Sequence, residues 1–205
     1  MRWCLFLKRG RNAFILNARS LGFCLSDFWR WSTSDLTNNA MRGILAEFLV
    51  ARALEVKSDV RTEWDAYDLV TTDGLRIEVK SSAYVQTWKQ QKLSSPCFQI
   101  GARRGWDAST NTYSESAGRC ADVYVFALLP HTDKLTVDPM NLEQWTFYVL
   151  PTAVLNSRFS TAKSIGLKAL ISAGAVAASY GELAEVARRA AKGGIRASKA
   201  NVSEL

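Results

Sequence analysis

Residues 64–82 read Trp-Asp-Ala-Tyr-Asp-Leu-Val-Thr-Thr-Asp-Gly-Leu-Arg-Ile-Glu-Val-Lys-Ser-Ser. Residues 64–70 are aromatic and apolar, and Thr72-Asp73-Gly74 is a turn signal. Residues 75–80 then alternate strictly, with Leu75, Ile77 and Val79 on one face and Arg76, Glu78 and Lys80 on the other. The stretch predicts a β-hairpin, and its turn decides what the hairpin displays. A two-residue loop would set Asp68 opposite Val79, pointing the wrong way. A three-residue loop, Thr72-Asp73-Gly74, pairs Thr71 with Leu75 and puts glycine where a left-handed residue is needed. Asp68 then lies opposite Glu78, on the same face and about 5 Å away.

Two carboxylates that close repel unless a proton or cation sits between them. Lys80, two residues beyond Glu78 on the same face, neutralises them only in part. A hard divalent cation, Mg²⁺ or Mn²⁺, is the natural occupant, since magnesium takes one or two protein carboxylates and shares substrate phosphates. A lysine beside it can hold an attacking water or stabilise charge developing on phosphate.

Upstream, residues 34–55 read as one long helix with Ser32, Ser34 or Asp35 as caps. Leu36, Ala40, Gly43, Ile44, Val50, Ala51 and Leu54 recur at helical spacing and predict its apolar face. Glu47 interrupts that face, and a carboxylate is rarely placed there unless paired or bound to metal. Glu47 is therefore expected to complete the acidic cluster from the side. Glu55-Val56-Lys57-Ser58 repeats the letters of Glu78-Val79-Lys80-Ser81. It follows a helix end, lacks alternation and has no aspartate-bearing hairpin before it, so it is set aside.

Downstream, a short strand is predicted near Phe98-Gln99-Ile100, an irregular segment around 105–118, and buried strands at 122–129 and 145–150, stopped by Pro130 and Pro151. The C-terminal third reads as helical. Ser179-Tyr-Gly-Glu182 is a capping box opening a helix that ends at Gly193. Helix, hairpin, further strands and helices together predict an α/β domain on a central mixed β-sheet flanked by helices, with a helical C-terminal part. Its limits are 27–194. Residues 1–26 form a basic N-terminal arm or extension, and 195–205 a frayed tail.

Gly43-Ile-Leu-Ala-Glu47, Tyr67-Asp68-Leu69 and Ile77-Glu78-Val79-Lys80-Ser81 together resemble the PD-(D/E)XK nuclease superfamily, which has the restriction-endonuclease-like fold. The resemblance covers residues 34–82, with 122–129 as a later core strand. It implies that Asp68 and Glu78 ligate the metal, that the Val79 carbonyl adds a ligand, and that Lys80 is the catalytic lysine. Glu47 would be the assisting helix carboxylate. Tyr67 stands where many members carry proline. The crossover helix of that fold is not visible in 84–120. Gln86, six residues past Lys80, matches a glutamine that some members use toward substrate or water. Lys89 and Lys92, with Arg103, Arg104 and Trp106, are candidates for a phosphate track.

The whole chain has 205 residues and a net charge of +7. The basic excess is terminal: residues 1–32 carry six positive charges and one negative. No apolar run approaches the ~20 residues of a membrane span. Cys4, Cys24, Cys97 and Cys120 form no C-x-x-C pair, and with His131 the sole histidine a zinc site is excluded. Reduced cysteines and the lack of a secretory signal imply a cytoplasmic protein. The expected function is metal-dependent hydrolysis of nucleic acid, DNA being favoured. No membrane partner is expected, and a homodimer is left open. The competing readings are a catalytically silent nuclease-fold module binding nucleic acid or a protein, and an unrelated domain with a surface ion-pair network.

Overall fold

The computed structural model describes residues 8–57, 61, 66–107 and 112–200. Strands β1 (Ala13–Leu16) and β2 (Arg19–Cys24) form an antiparallel hairpin, followed by helices α1 (Leu25–Thr33) and α2 (Asn39–Ala53). Strands β3 (Leu69–Val70) and β4 (Arg76–Ala83) come next, then β5 (Cys97–Gln99) and the small hairpin of β6 (Trp106–Asp107) and β7 (Thr112–Tyr113). The chain continues through β8 (Val123–Leu129), β9 (Thr146–Pro151), α3 (Thr152–Arg158), β10 (Ser164–Gly166), α4 (Leu167–Ser172), β11 (Val176–Ala178) and α5 (Leu183–Ala200).

Five strands make a mixed sheet in the order β11-β9-β8-β4-β3. The α/β class with helices flanking a central mixed sheet is the one predicted. The β3–β4 register is also the predicted one: Leu69 faces Ile77 and Val70 faces Arg76. The Thr71 N–H donates to the Leu75 carbonyl at 3.0 Å, closing the three-residue loop. Gly74 sits at φ +85°, the left-handed region that side chains with a Cβ resist. β4 and β8 run parallel, and a parallel pair needs a crossover, usually helical. Here the 84–122 connection contains no helix among the described residues; it carries β5, which pairs with distant β10, and the β6–β7 hairpin.

β8 is buried along its whole length because both sheet faces are covered. On one face Ile77, Val79, Val123, Val125 and Phe147 pack against Ala46 and Val50 of α2 and Leu183 and Ala187 of α5. On the other, Tyr124, Phe126 and Leu150 pack with Phe98, Ile165 and Leu170. Period-two alternation along β4 therefore separates Ile77 and Val79 from Glu78 and Lys80 across the sheet.

Some boundaries differ from expectation. α2 is capped by Asn38, whose side chain accepts from the Ala40 N–H at 2.9 Å; Asp35 instead shapes the preceding turn by accepting from the Thr37 and Asn38 N–H groups. Its buried positions are Arg42, Ala46, Leu49 and Val50, whereas Ile44 and Phe48 are exposed. The apolar stripe is thus rotated from the predicted one. Ser179 and Glu182 do pair, with the Ser179 hydroxyl donating to Glu182 Oε2 at 2.6 Å, but α5 runs past Gly193 to Ala200. Residues 201–205, the end of the expected frayed tail, lie outside the described residues, as do 1–7 of the arm and Trp64 and Asp65 of the expected first strand. Among the described residues no helix is long and apolar enough to cross a membrane.

Arg76 and Asp122 clamp the starts of β4 and β8. Asp122 accepts from the Arg76 N–H at 2.9 Å, from its Nε at 3.1 Å and from its Nη2 at 2.6 Å. These bonds hold the Asp122 carboxyl below its ordinary pKa. Its side chain is 33% exposed, so solvent screens part of the gain. Asp122→Ala is expected to cost about 1–2 kcal/mol, or roughly 2–4 °C in Tm per kcal/mol. A folded-state pKa below the unfolded value gives stability that is complete above the ordinary carboxylate range and fades as pH falls through the lowered value. Thermal melts of wild type and variant should therefore converge in acid.

Candidate active site

Asp68 is joined to β4 just before β3 begins. Its N–H donates to the Ile77 carbonyl at 3.1 Å, and its Oδ2 accepts from the Val79 N–H at 2.7 Å. Lys80 Nζ donates to Glu78 Oε1 at 2.5 Å, with the two side chains 19% and 16% exposed. Asp68, Glu78 and Lys80 line one cavity of about 340 Å³. Asp68 Oδ1 and Glu78 Oε2 make no hydrogen bond among the described residues.

The electrostatics are those of crowded carboxylates. Burial pushes the Glu78 carboxyl up from its ordinary pKa, and the charge of Asp68 pushes it further; Lys80 and Arg103 oppose both. A divalent cation would relieve the same repulsion.

The opposite wall comes from the 101–120 segment. Arg103 lines the cavity without an ion pair among the described residues, and Arg104 Nε donates to the Ser114 carbonyl at 2.8 Å. Trp106 and Tyr113 meet edge to face across β6–β7, ring centroids 4.8 Å apart. Arg119 is committed to structure, donating to the carbonyls of Ile100 at 2.7 Å and Phe159 at 2.8 Å.

Tyr124 is the residue that sequence reasoning missed. The parallel register sets it beside Glu78, so both share a face. It is 4% exposed, and its hydroxyl makes no hydrogen bond among the described residues. That hydroxyl is not sealed, since Thr152 Oγ1 is the buried side-chain atom left unpartnered among the described residues. Tyr124 lines the same cavity as Asp68, Glu78 and Lys80. Burial, with the charge of Glu78, pushes the phenol further up from its ordinary pKa, so it stays a neutral donor. In the sequence Tyr124 looks like any aromatic of a buried strand; only the β4–β8 register gives it away.

Other expected site residues lie elsewhere. α2 packs on the Ile77 and Val79 face, opposite Glu78 and Lys80, and Glu47 is not among the residues lining the cavity. Arg61 holds the Glu47 carboxylate bidentately, Nε to Oε2 at 2.5 Å and Nη2 to Oε1 at 3.0 Å. The expectation that Glu47 joins the cluster is thus corrected: with the stripe rotated, Glu47 flanks the buried face and is satisfied by an arginine. Gln86 is buried away from the cavity, donating to the Ala83 carbonyl at 3.0 Å and accepting from Arg42 Nη1 at 3.4 Å. Arg42, 3% exposed, also donates to Asn39 Oδ1 at 2.6 Å, the Thr37 carbonyl at 2.9 Å and Ser81 Oγ at 3.3 Å. It ties α2 to β4 through neutral acceptors, a role that its place among apolar residues concealed. Lys89 and Lys92 border a separate surface hollow with Lys134. Val79 lies in the β4 ladder, its N–H given to Asp68.

Among the described residues no group of three or more His, Cys, Asp and Glu side chains forms a metal cage. Two carboxylates lining one cavity, each with an oxygen free of hydrogen bonds among the described residues, nevertheless suit Mg²⁺, which keeps several waters and dispenses with an all-protein shell. The donor set is hard oxygen, as magnesium or manganese requires.

A family model described as bacteriophage T4 endonuclease IV matches residues 27–167, more than half of the chain. The chain belongs to that endonuclease family. The match includes β3, β4 and β8, hence Asp68, Glu78, Lys80 and Tyr124, and excludes the β1–β2 hairpin. No curated protein matches the chain.

The Glu47–Arg61 pair makes a separable prediction. Glu47→Gln is expected to lower stability by roughly 1 kcal/mol, the value of a well-formed but partly solvated bidentate pair. Mg²⁺ affinity, measured by calorimetric titration, should not change.

Proposed function

We propose that this chain is a divalent-metal-dependent nuclease of the PD-(D/E)XK type that hydrolyses phosphodiester bonds, with DNA as substrate. The observation that carries the reading is that Asp68, Glu78 and Lys80 line one cavity together with Arg103. Membership of an endonuclease family supports it. So does the charge pattern, which pairs a negative floor with a positive wall.

Asp68 and Glu78 would hold Mg²⁺ or Mn²⁺, with the Val79 carbonyl as a further ligand. When bound, the ion supplies an acidified water and neutralises charge on the phosphate and leaving oxygen. The chain's own groups do the rest. The Val79 N–H fixes Asp68 Oδ2, so its other oxygen points one way. Lys80 lies beside Glu78, placed to orient the attacking water and offset charge as the water oxygen bonds to phosphorus and the P–O ester bond breaks. Arg103 is exposed on the cavity rim and has no ion pair among the described residues, which suits it to a non-bridging phosphate oxygen. The Tyr124 hydroxyl offers a neutral donor to the same phosphate.

Lys80→Ala is expected to lose about 10²–10³ or more in cleavage rate while keeping Mg²⁺ affinity, because it removes a donor and no ligand. Asp68→Asn should lose both. Mn²⁺ or Mg²⁺ calorimetry beside a cleavage panel of single-stranded, duplex and branched DNA and RNA separates the cases. Full cleavage by the Lys80 variant would remove the catalytic assignment; nucleic-acid binding without cleavage by the wild type would leave a silent module.

Tyr124→Phe keeps the ring that stacks on Phe126 at 5.8 Å and removes only the hydroxyl. Turnover is expected to fall at least tenfold, toward the ~10²–10³ of a dedicated donor, with Tm unchanged. An unaltered kcat would assign the hydroxyl no part in the reaction.

A further inference from the structure

Residues 8–33, which precede the family match and overlap its first seven residues, are almost wholly uncovered. Every residue of β1 is exposed, as is all of β2 but Cys24, and α1 buries none of its residues. The hairpin turns through Asn17 and Ala18, both left-handed at φ 49° and 63°. Its two aromatic rings, Phe14 and Phe23, lie against each other with centroids 4.9 Å apart. On α1, Phe28 and Trp31 lie 6.5 Å apart, with Trp31 84% exposed. Two strands alone are marginal in water, and an exposed apolar patch of this extent marks a surface that something covers.

Charge says what. Lys8, Arg9, Arg11 and Arg19 are exposed and carry no ion pair among the described residues. Asp27, the one acid of segment 8–33, is bonded to Arg30 at 2.6 Å and offsets none of them. Arg19 follows the hairpin tip, whereas Arg9 and Arg11 stand before the first strand at the other end. A four-residue strand is roughly 13 Å long, at ~3.3 Å per residue. That is the axial rise of about four phosphates on one duplex strand.

We propose that residues 8–33 form a nucleic-acid grip apart from the Asp68–Glu78–Lys80 cavity, none of whose lining residues they supply. Arg9 and Arg11 contact phosphates at one end of the hairpin and Arg19 a phosphate about four further along, and the exposed rings of Trp31 and Phe28 lie against sugars and base faces. The partner is the polyanion that the family's activity requires, so this rests on the nucleic-acid reading above. A second copy fits less well, because it would set the same unpaired cations against each other. A lipid surface fits less well too: a membrane-lying helix carries its cations on its own polar face, and the one cation of α1 is neutralised by Asp27.

The test is fluorescence anisotropy of the full chain in EDTA, with labelled single-stranded and duplex oligonucleotides across a salt series. The Arg9→Ala, Arg11→Ala, Arg19→Ala triple variant is compared with its lysine counterpart. The alanine triple should weaken binding tenfold or more and flatten the log K against log salt slope by about 0.7–0.9 for each phosphate no longer neutralised. The lysine triple should keep the slope. The three arginines carry no ion pair among the described residues, so Tm should hold. Equal affinity and slope in wild type and alanine triple would overturn the grip alone. A wild-type chain with no affinity for nucleic acid would overturn both this and the proposed function. Unchanged DNA binding with a changed sedimentation coefficient would overturn the grip and assign the surface to a second copy. Unchanged DNA binding with lost affinity for phosphatidylserine vesicles would overturn it in favour of a lipid headgroup.

Discussion

The register of one short hairpin governs the molecule. Gly74 in the left-handed region closes a three-residue loop, and that loop sets Leu69 against Ile77. From there alternation does the sorting. Ile77 and Val79 enter the core beneath α2 and α5, while Glu78 and Lys80 face the cavity. A slip by one residue would exchange the two sets. Glu78 and Lys80 would then be driven into an apolar core, and two large aliphatic side chains into a polar cleft. Burying an ion pair without further partners costs several kcal/mol per ion, so the slipped register is strongly disfavoured. The same constraint that stabilises the sheet thereby assembles the site.

Placing like charges together has its own cost, visible in the upward push on Glu78. The sheet bears it through fixed donors. The Val79 N–H holds one oxygen of Asp68, and Lys80 holds one of Glu78. Each carboxylate is thus oriented by a group that is itself held in β4. Arg103 adds long-range compensation from the wall, and among the described residues no ion pair occupies the remaining oxygens. The floor is preorganised by backbone geometry, which a loop-borne site would lack.

How far the sequence discloses this follows the range of the interactions. The hairpin was legible because turn chemistry and period-two alternation are local, and the glycine selected one loop length over another. Glu47 was misread because Ile44, Leu45 and Phe48 give α2 apolar residues on more than one side. Which side is buried was decided by the sheet, and the sheet chose the face of Arg42 and Ala46, leaving Ile44 outside. The β1–β2 hairpin was missed because its apolar residues are exposed on both faces and so show no clean alternation; Asn17 at the turn was its one local sign. β5 could not be tied to β10, since Phe98 and Ile165 are partners that only the fold brings together.

The same division of range separates the floor of the cavity from its wall. The floor of the site is one contiguous hairpin with Tyr124 from the neighbouring strand. The wall is a long connection held by distant partners. Arg119 reaches the carbonyls of Ile100 and Phe159 and the side chain of Asn156, fixing the wall to β5 and the end of α3. Gly105 lets it approach the floor: a Cβ there would come within 3.0 Å of the Ala66 Cβ and 3.4 Å of Cys120 Sγ. Both neighbours are short and held close to the backbone, so neither can yield as the end of a long side chain would. The wall therefore meets the floor at a close backbone approach next to Ala66, two residues before the first carboxylate. That approach is made by backbone and short side chains rather than by any charged group.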